Sequence, residues 1–565
     1  MIFLYYYEAM PSFSSLPIKT VLLALFVAIP SHGWSKVALN PLFGAHMVLQ
    51  RDKPVPIWGT ADAGETVTVK FAGQTKTSTA DADGRWHIEL DPMAANCVFQ
   101  TMTVSGTNNH LEIADCLVGD VWLCAGQSNM AFSLGKVRDS AQEIATATNP
   151  NLRLFNVHFT GAPCPLEKVS GGWAECTPDQ AKRMSAIAYL FGRDLQNEMG
   201  IPIGILSVAL GGSYAEVWTS TEAMQRNPRN KALLKAWEWL DGQMGVSKPA
   251  RPGGVKAIYV DKDGQTVEFK TYAERFRNWK LACETARRKG EQIPPGFPAE
   301  FQWYSRPPLP DDPLLRPGMG FNGSIAPLVP LALKGVVWYQ GESHRDPAEY
   351  GLSLTTLIED WRSQFGQKDL PFLIVGLPNW GKQPTDGPVD GNWPGVREQQ
   401  FKVGGQLPGV YVTVNTDTAI QDGGDLHPTN KQPVAERLAG LAMQKVYGAE
   451  KDASGPLFQK MTVTGKEIQL TFKPDGGGLM TKDLQIPGLS PEIPPSDVMG
   501  FAIAGDDKRW HWAMARMEED HIVVWSPEVP NPVSVRYNWA NYPVGNLFGK
   551  NALPAAPFRT DKWQP

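Results

Sequence analysis

The chain has 565 residues, 42% hydrophobic and 20% charged, with 53 Lys plus Arg against 58 Asp plus Glu. The length exceeds one ordinary domain, and the balance excludes wholesale disorder. A net charge of −5 argues against a nucleic-acid binder, which needs a basic face for phosphates.

Residues 1–33 read as a secretory signal peptide. Lys19 precedes an apolar run over 20–29, Pro30 ends it, and Ser31-His32-Gly33 supplies small residues before a cut at Trp34. The run is short for a bilayer span and no Cys stands at the cut, so no stable membrane anchor is expected. The mature chain is expected to be exported, periplasmic or extracellular. Export permits disulfides. Of the six Cys, Cys164 and Cys176 bound a Gly- and Pro-rich loop and are the expected pair, whereas Cys124 is expected to be a buried thiol.

Residues 36–117 alternate apolar and polar positions, as in 66–71 and 86–90, around the turn Asp81-Ala82-Asp83-Gly84. Strict alternation with Asp and Gly turns predicts an N-terminal β-sandwich. From 118 the pattern changes to nearly continuous apolar runs at 118–124, 203–210, 335–339, 372–377 and 410–414. Such runs suit strands covered on both faces. Between them lie helical stripes: Met184, Ile187, Phe191, Leu195 and Met199 in one, Val434, Leu438 and Leu441 in another. Residues 118–452 are therefore expected to form an α/β domain on a five-stranded parallel sheet. Residues from about 222 to 310, rich in Lys, Arg, Trp, Gly and Pro, interrupt that rhythm as an insertion. Alternation returns over 453–565, predicting a C-terminal β-rich module.

Four motifs follow predicted strands, at the sheet edge where open α/β sheets place their sites. The first is Gly126-Gln127-Ser128-Asn129-Met130, whose Ser fits a nucleophile or a helix N-cap. Met130 stands where an α/β-hydrolase elbow needs Gly. The second holds Gly211 and Gly212, whose N–H groups fit an oxyanion hole or a plain turn. The third is Trp338-Tyr339-Gln340-Gly341-Glu342-Ser343-His344. Gln340 can donate a side-chain N–H there, and Glu342 and His344 are possible acids or bases. The fourth is Asp422-Gly423-Gly424-Asp425-Leu426-His427-Pro428, where His427 fits a general base or a structural role.

These motifs, with the C-terminal run Val535-Arg536-Tyr537-Asn538-Trp539-Ala540-Asn541-Tyr542-Pro543, resemble the sialate O-acetylesterases of the SGNH (GDSL-like) hydrolase superfamily. The resemblance spans nearly all the mature chain. It implies a flavodoxin-like fold and a serine esterase that removes O-acetyl groups from sugars, O-acetylated sialic acid foremost, through an acetyl-enzyme. It makes Ser128 the nucleophile, His427 the base and Asp425 the acidic partner, with Asp422 as fallback. The oxyanion hole would be the Ser128 N–H, a Gly211 or Gly212 N–H and the Gln340 side chain. Many relatives place the Asp three residues before the His, where this chain has Gly424. Trp218, Tyr339 and Trp380 would line the sugar cleft or pack in the core. No cofactor or metal is implied. Alternatives are an acetylesterase acting on xylan or another polysaccharide, and a non-catalytic carbohydrate-binding protein.

Overall fold

Side-chain alternation builds the N-terminal layer. In Thr66–Phe71 the side chains of Val67, Val69 and Phe71 are buried while Thr66 and Lys70 face solvent, the period-2 pattern of a half-buried strand. This strand pairs antiparallel with Gln74–Thr79 and Asn96–Ser105. Arg85–Leu90 buries Trp86, Ile88 and Leu90 in the same way and pairs with Val55–Thr60. These side chains form a hydrophobic core of their own. This computed structural model describes residues 36–243, 258–260, 266–309, 312–383, 387–389, 391–473, 476–487, 489, 493 and 496–563. The expected signal peptide lies outside them, as do parts of the 222–310 segment.

The strand β1 (His110–Gly126) joins two layers. Its first half alternates and pairs antiparallel with Asn96–Ser105; from Cys116 onward every residue is buried and the pairing becomes parallel. Position 117/118 thus lies inside one continuous strand. Beyond it run β2 (Asn149–Asn156), β3 (Trp173–Cys176), β4 (Ile203–Ala209), β5 (Gly335–Tyr339), β6 (Phe372–Val375) and β7 (Val410–Thr413). Their order is β3-β2-β4-β1-β5-β6-β7. All neighbours are parallel except β3 with β2.

The expected five-stranded parallel sheet is therefore corrected. The five apolar runs lie in β1, β4, β5, β6 and β7, but β2 adds a sixth parallel strand and β3 an antiparallel edge. Through β1 the sheet also continues into the N-terminal antiparallel strands. The β2 sequence hid itself: it opens on Asn-Pro-Asn and carries Arg153. That guanidinium is buried and satisfied by Asp115, at 2.5 and 2.9 Å, so the strand tolerates a buried charge.

Helices α1 (Ala186–Met199), α2 (Pro347–Gln364), α3 (Trp393–Gln406) and α4 (Gln432–Lys445) cover the sheet, α1 packing on α4 and α2 on α3. The stripe expected from Met184 to Met199 loses its first member, since α1 starts after Ser185, whose hydroxyl caps it by accepting from the Ala188 N–H at 3.2 Å. C-terminal strands including Glu467–Phe472, His521–Trp525 and Ser534–Tyr537 enclose a third core. This region braces the α/β layer: buried Arg397 of α3 donates to the Ala540 and Asn541 carbonyls at 2.7 and 3.0 Å. The expected Cys164–Cys176 disulfide is not formed. Cys164 is exposed, and the Cys176 thiol is buried and turned to the Ala147 carbonyl. Among the described residues no helix is long and apolar enough to cross a membrane.

Candidate active site

Register sets the site. Gly126 at the end of β1 stands between Ala209 of β4 and Tyr339 of β5. The three following turns therefore leave the sheet side by side. Gly126 has φ +152°, and a Cβ there would come within 2.0 Å of the Tyr339 carbonyl oxygen, so only glycine lets β1 turn off beneath β5.

Ser128 opens the short helix Ser128–Ala131 and is half-buried. A helix's first N–H has no upstream carbonyl partner. Gly211 lies directly against this serine: a Cβ at Gly211 would be 3.4 Å from the Ser128 Cβ. Gly211 and Gly212 are exposed, and their N–H groups make no backbone hydrogen bond among the described residues. Among the described residues the Ser128, Gly211 and Gly212 N–H groups have no backbone partner, and Gly211 stands beside the serine; backbone donors of this kind are what an oxyanion hole uses.

His427 arrives on the loop before α4. Its ring stacks on Phe132, centroids 6.5 Å apart at 21°, and the Asn129 amide donates to the preceding Leu426 carbonyl at 3.0 Å. The Ser128 hydroxyl and the His427 ring are not hydrogen-bonded to each other here, and such catalytic contacts often tighten only when substrate is bound. Burial and then the Lys431 charge push the His427 ring below its ordinary pKa, against the pull of Asp425. The neutral ring a general base needs is favoured.

Neither Asp425 nor Asp422 is hydrogen-bonded to the imidazole in this structure. Asp425 is exposed and accepts the backbone N–H of His427 at 2.8 Å. It makes an Asx turn and does not bond to the imidazole, because two residues is the span at which a carboxylate reaches its own backbone. Asp422 is fixed elsewhere, accepting from the Thr429 N–H at 3.0 Å, the Thr429 hydroxyl at 2.8 Å and Arg138 at 2.5 Å. An aspartate at Gly424 has no room: the backbone is left-handed and a Cβ would lie 2.2 Å from the Gly381 carbonyl oxygen.

Gln340 also finds partners within the protein. It is fully buried, and its amide nitrogen donates to the Gln127 side-chain oxygen and the Ser213 carbonyl, each at 3.2 Å. Both amide hydrogens are engaged, so in this structure Gln340 clamps the serine turn to the glycine turn. Trp218 and Tyr339 do not line a cleft either. They are 0% and 1% exposed, and the Trp218 indole donates to the Ser213 hydroxyl. Trp380 is half-buried, stacked on Trp393 at 4.9 Å. The next residue, Gly381, donates its N–H to the Gly424 carbonyl of the histidine loop at 2.8 Å. His344 is buried and accepts the Ala215 N–H at 3.2 Å, a packing role.

Sequence reasoning passed over Phe132, Asn129 and Lys431. Asn129 was visible as the neighbour of Ser128, and Lys431 as the residue four beyond His427. Neither spacing announces the contact they make: Lys431 donates to the Asn129 side-chain oxygen at 2.5 Å.

Comparison with known proteins agrees with this geometry. Residues 324–444 match the family described as carbohydrate esterase, sialic acid-specific acetylesterase. The chain is 29% identical to the sialate O-acetylesterase of Mus musculus, over 91% of this chain and 92% of that one. It is 27% identical to that of Homo sapiens, over 91% and 90%. A crystal structure of a carbohydrate acetylesterase from Xanthomonas citri is 30% identical, covers 93% of this chain and 100% of its own, and superposes with a TM-score of 0.72. With the serine, the glycine turn and the histidine loop gathered at one sheet edge, the chain belongs to the sialate O-acetylesterase family of carbohydrate esterases and is a carbohydrate O-acetylesterase.

Proposed function

We propose that acetyl removal runs through Ser128 and His427 as a dyad on an SGNH-type sheet, with O-acetylated sialic acid as the substrate. The observation that carries it is Gly211 against the Ser128 Cβ, which sets a backbone donor with no backbone partner beside the half-buried Ser128 hydroxyl. His427 takes the Ser128 proton as the hydroxyl oxygen attacks the acetyl carbonyl. The N–H groups of Ser128, Gly211 and Gly212 hold the oxyanion. His427 returns the proton to the departing sugar hydroxyl. Water then hydrolyses the acetyl-enzyme by the reverse roles. Asp425 and Asp422 shape the histidine loop through its backbone.

The names of the mammalian relatives support sialic acid as the sugar. Acetate release from O-acetyl sialic acid is compared with release from acetylated xylooligosaccharides, for the wild type and Ser128→Ala. Faster release from the xylooligosaccharides overturns the sugar assignment, and an active Ser128→Ala overturns the nucleophile. Export is proposed from the Lys19 and 20–29 pattern; cell fractionation that finds the protein in the cytoplasm removes it.

A further inference from the structure

Lys431 is 1% exposed, a rare place for an ammonium. Its amine donates to the Asn129 side-chain oxygen at 2.5 Å. The Asn129 amide nitrogen in turn donates to Glu342 at 2.7 Å and to the Leu426 carbonyl at 3.0 Å. One buried side chain next to Ser128 thus holds the third strand-end loop, the histidine loop and the start of α4. The amine also sits 5.0 Å from the Phe132 ring and 5.6 Å from the Tyr339 ring. Phe132 is the ring on which His427 stacks. The other Glu342 oxygen is buried with no hydrogen-bond partner among the described residues. Lys431 and Glu342 therefore share one enclosure, bridged by Asn129.

We propose that Lys431 is a positioning residue for deacetylation: through Asn129 it ties the Ser128 turn to the His427 loop, and its charge, balanced by Glu342, keeps His427 unprotonated. The inference rests on the Ser128–His427 reading above. The acidic groups facing Lys431 are Glu342, Asp422 and Asp425. The charged groups facing His427 are the cations Lys431 and Lys136 and the acid Asp425. Burial pushes Lys431 down to about 7 and pushes Glu342 up, and the charge of each opposes the burial shift of the other. A cation beside His427 disfavours the imidazolium in the free enzyme, so the base stays available at lower pH.

The test is the pH profile of kcat/KM with an aryl acetate and with an acetylated sugar. Lys431→Met should move the acid limb upward by about half a pH unit or more and lower kcat by about 10-fold, with KM little changed. Lys431→Arg keeps the charge and should keep the acid limb of the wild type. Glu342→Gln withdraws the carboxylate that holds the proton on Lys431. It should move the limb in the same direction as Lys431→Met, and it serves if Lys431→Met fails to fold. An acid limb unmoved in Lys431→Met, or in Glu342→Gln where the former is unfolded, overturns the proposal and leaves a lysine that only packs. The two levels separate: an active Ser128→Ala removes the dyad itself, whereas an inactive Ser128→Ala with an unmoved limb removes the Lys431 role alone.

Discussion

At Ser128 the fate of one hydroxyl is decided by neighbours that have no reactive groups. Gly126 lets the strand turn, Gly211 leaves the space above the serine open, and Phe132 backs the histidine ring. Ser128→Ala removes only the attacking atom from this frame. Acetate release should fall by about 1000-fold or more with the melting temperature unchanged; near-normal turnover by a folded variant would end the nucleophile assignment. The two aspartates should separate by the bonds they hold. Asp422 carries Thr429 and Arg138, and Asp425 only the exposed His427 N–H. Asp422→Ala should therefore cost more turnover and more stability than Asp425→Ala, whose loss should stay within about 10-fold, since the helix-loop frame survives. The reverse order, measured in kcat, would restore Asp425 to the ring. Gln340→Ala should act on folding before chemistry. It strands the buried Ser213 carbonyl at a cost of about 1–3 kcal/mol, visible in chemical denaturation. The serine was legible because a strand followed by a glycine turn is a sequence pattern. The partner of the histidine was not, because a carboxylate two residues away reaches a backbone N–H as easily as a ring, and spacing cannot distinguish them.

Elements were legible where burial is uniform or strictly alternating. The runs in β4, β5 and β6 are nearly all apolar because both faces are covered, and the N-terminal strands alternate because one face is wet. β2 and β3 were not legible, since a strand at a sheet margin can open on turn formers and bury an arginine that a distant aspartate satisfies. Helix α2 shows an opposite case, an acid half-buried where helices usually display one. Glu349 in its first turn is pushed up to about 8 by burial and by Glu216, with Arg229 opposing. Its folded-state value lies above its ordinary 4.5. The stability it contributes is therefore fully present below that value and is lost as pH rises through about 8. Glu349→Gln keeps the shape and cannot ionise. Its stability relative to the wild type should rise between those two pH values and level off above them. A constant difference across that interval would show that the Glu349 carboxyl ionises in the folded chain as freely as in the unfolded one.

Across the whole molecule, the site is a joint among parts far apart in sequence. The hydrolase sheet provides the strand ends, the C-terminal run at Ala540 and Asn541 secures α3 and the Trp380 loop, and Lys431 draws the last helix onto the first catalytic turn. Burying an ammonium at that joint makes the stability of the entire fold depend on one proton. The folded-state value of Lys431 is about 7 against its ordinary 10.5. Below about 7 both states hold the proton and the burial penalty is complete. Between the two values the unfolded chain binds more protons than the folded one, so stability rises with pH, and above 10.5 the gain is complete. Buried tyrosines such as Tyr350, pushed above their ordinary value, act in the opposite sense at the alkaline end. Subtracting the curve of Lys431→Met cancels them. The difference between wild type and Lys431→Met, from chemical denaturation across that interval, should move in favour of the wild type as pH rises. A difference that stays flat would mean the amine keeps its proton in the folded state, held by Glu342 as a permanent ion pair. The acid limb of catalysis would then be shielded by a fixed charge rather than one that titrates near neutrality.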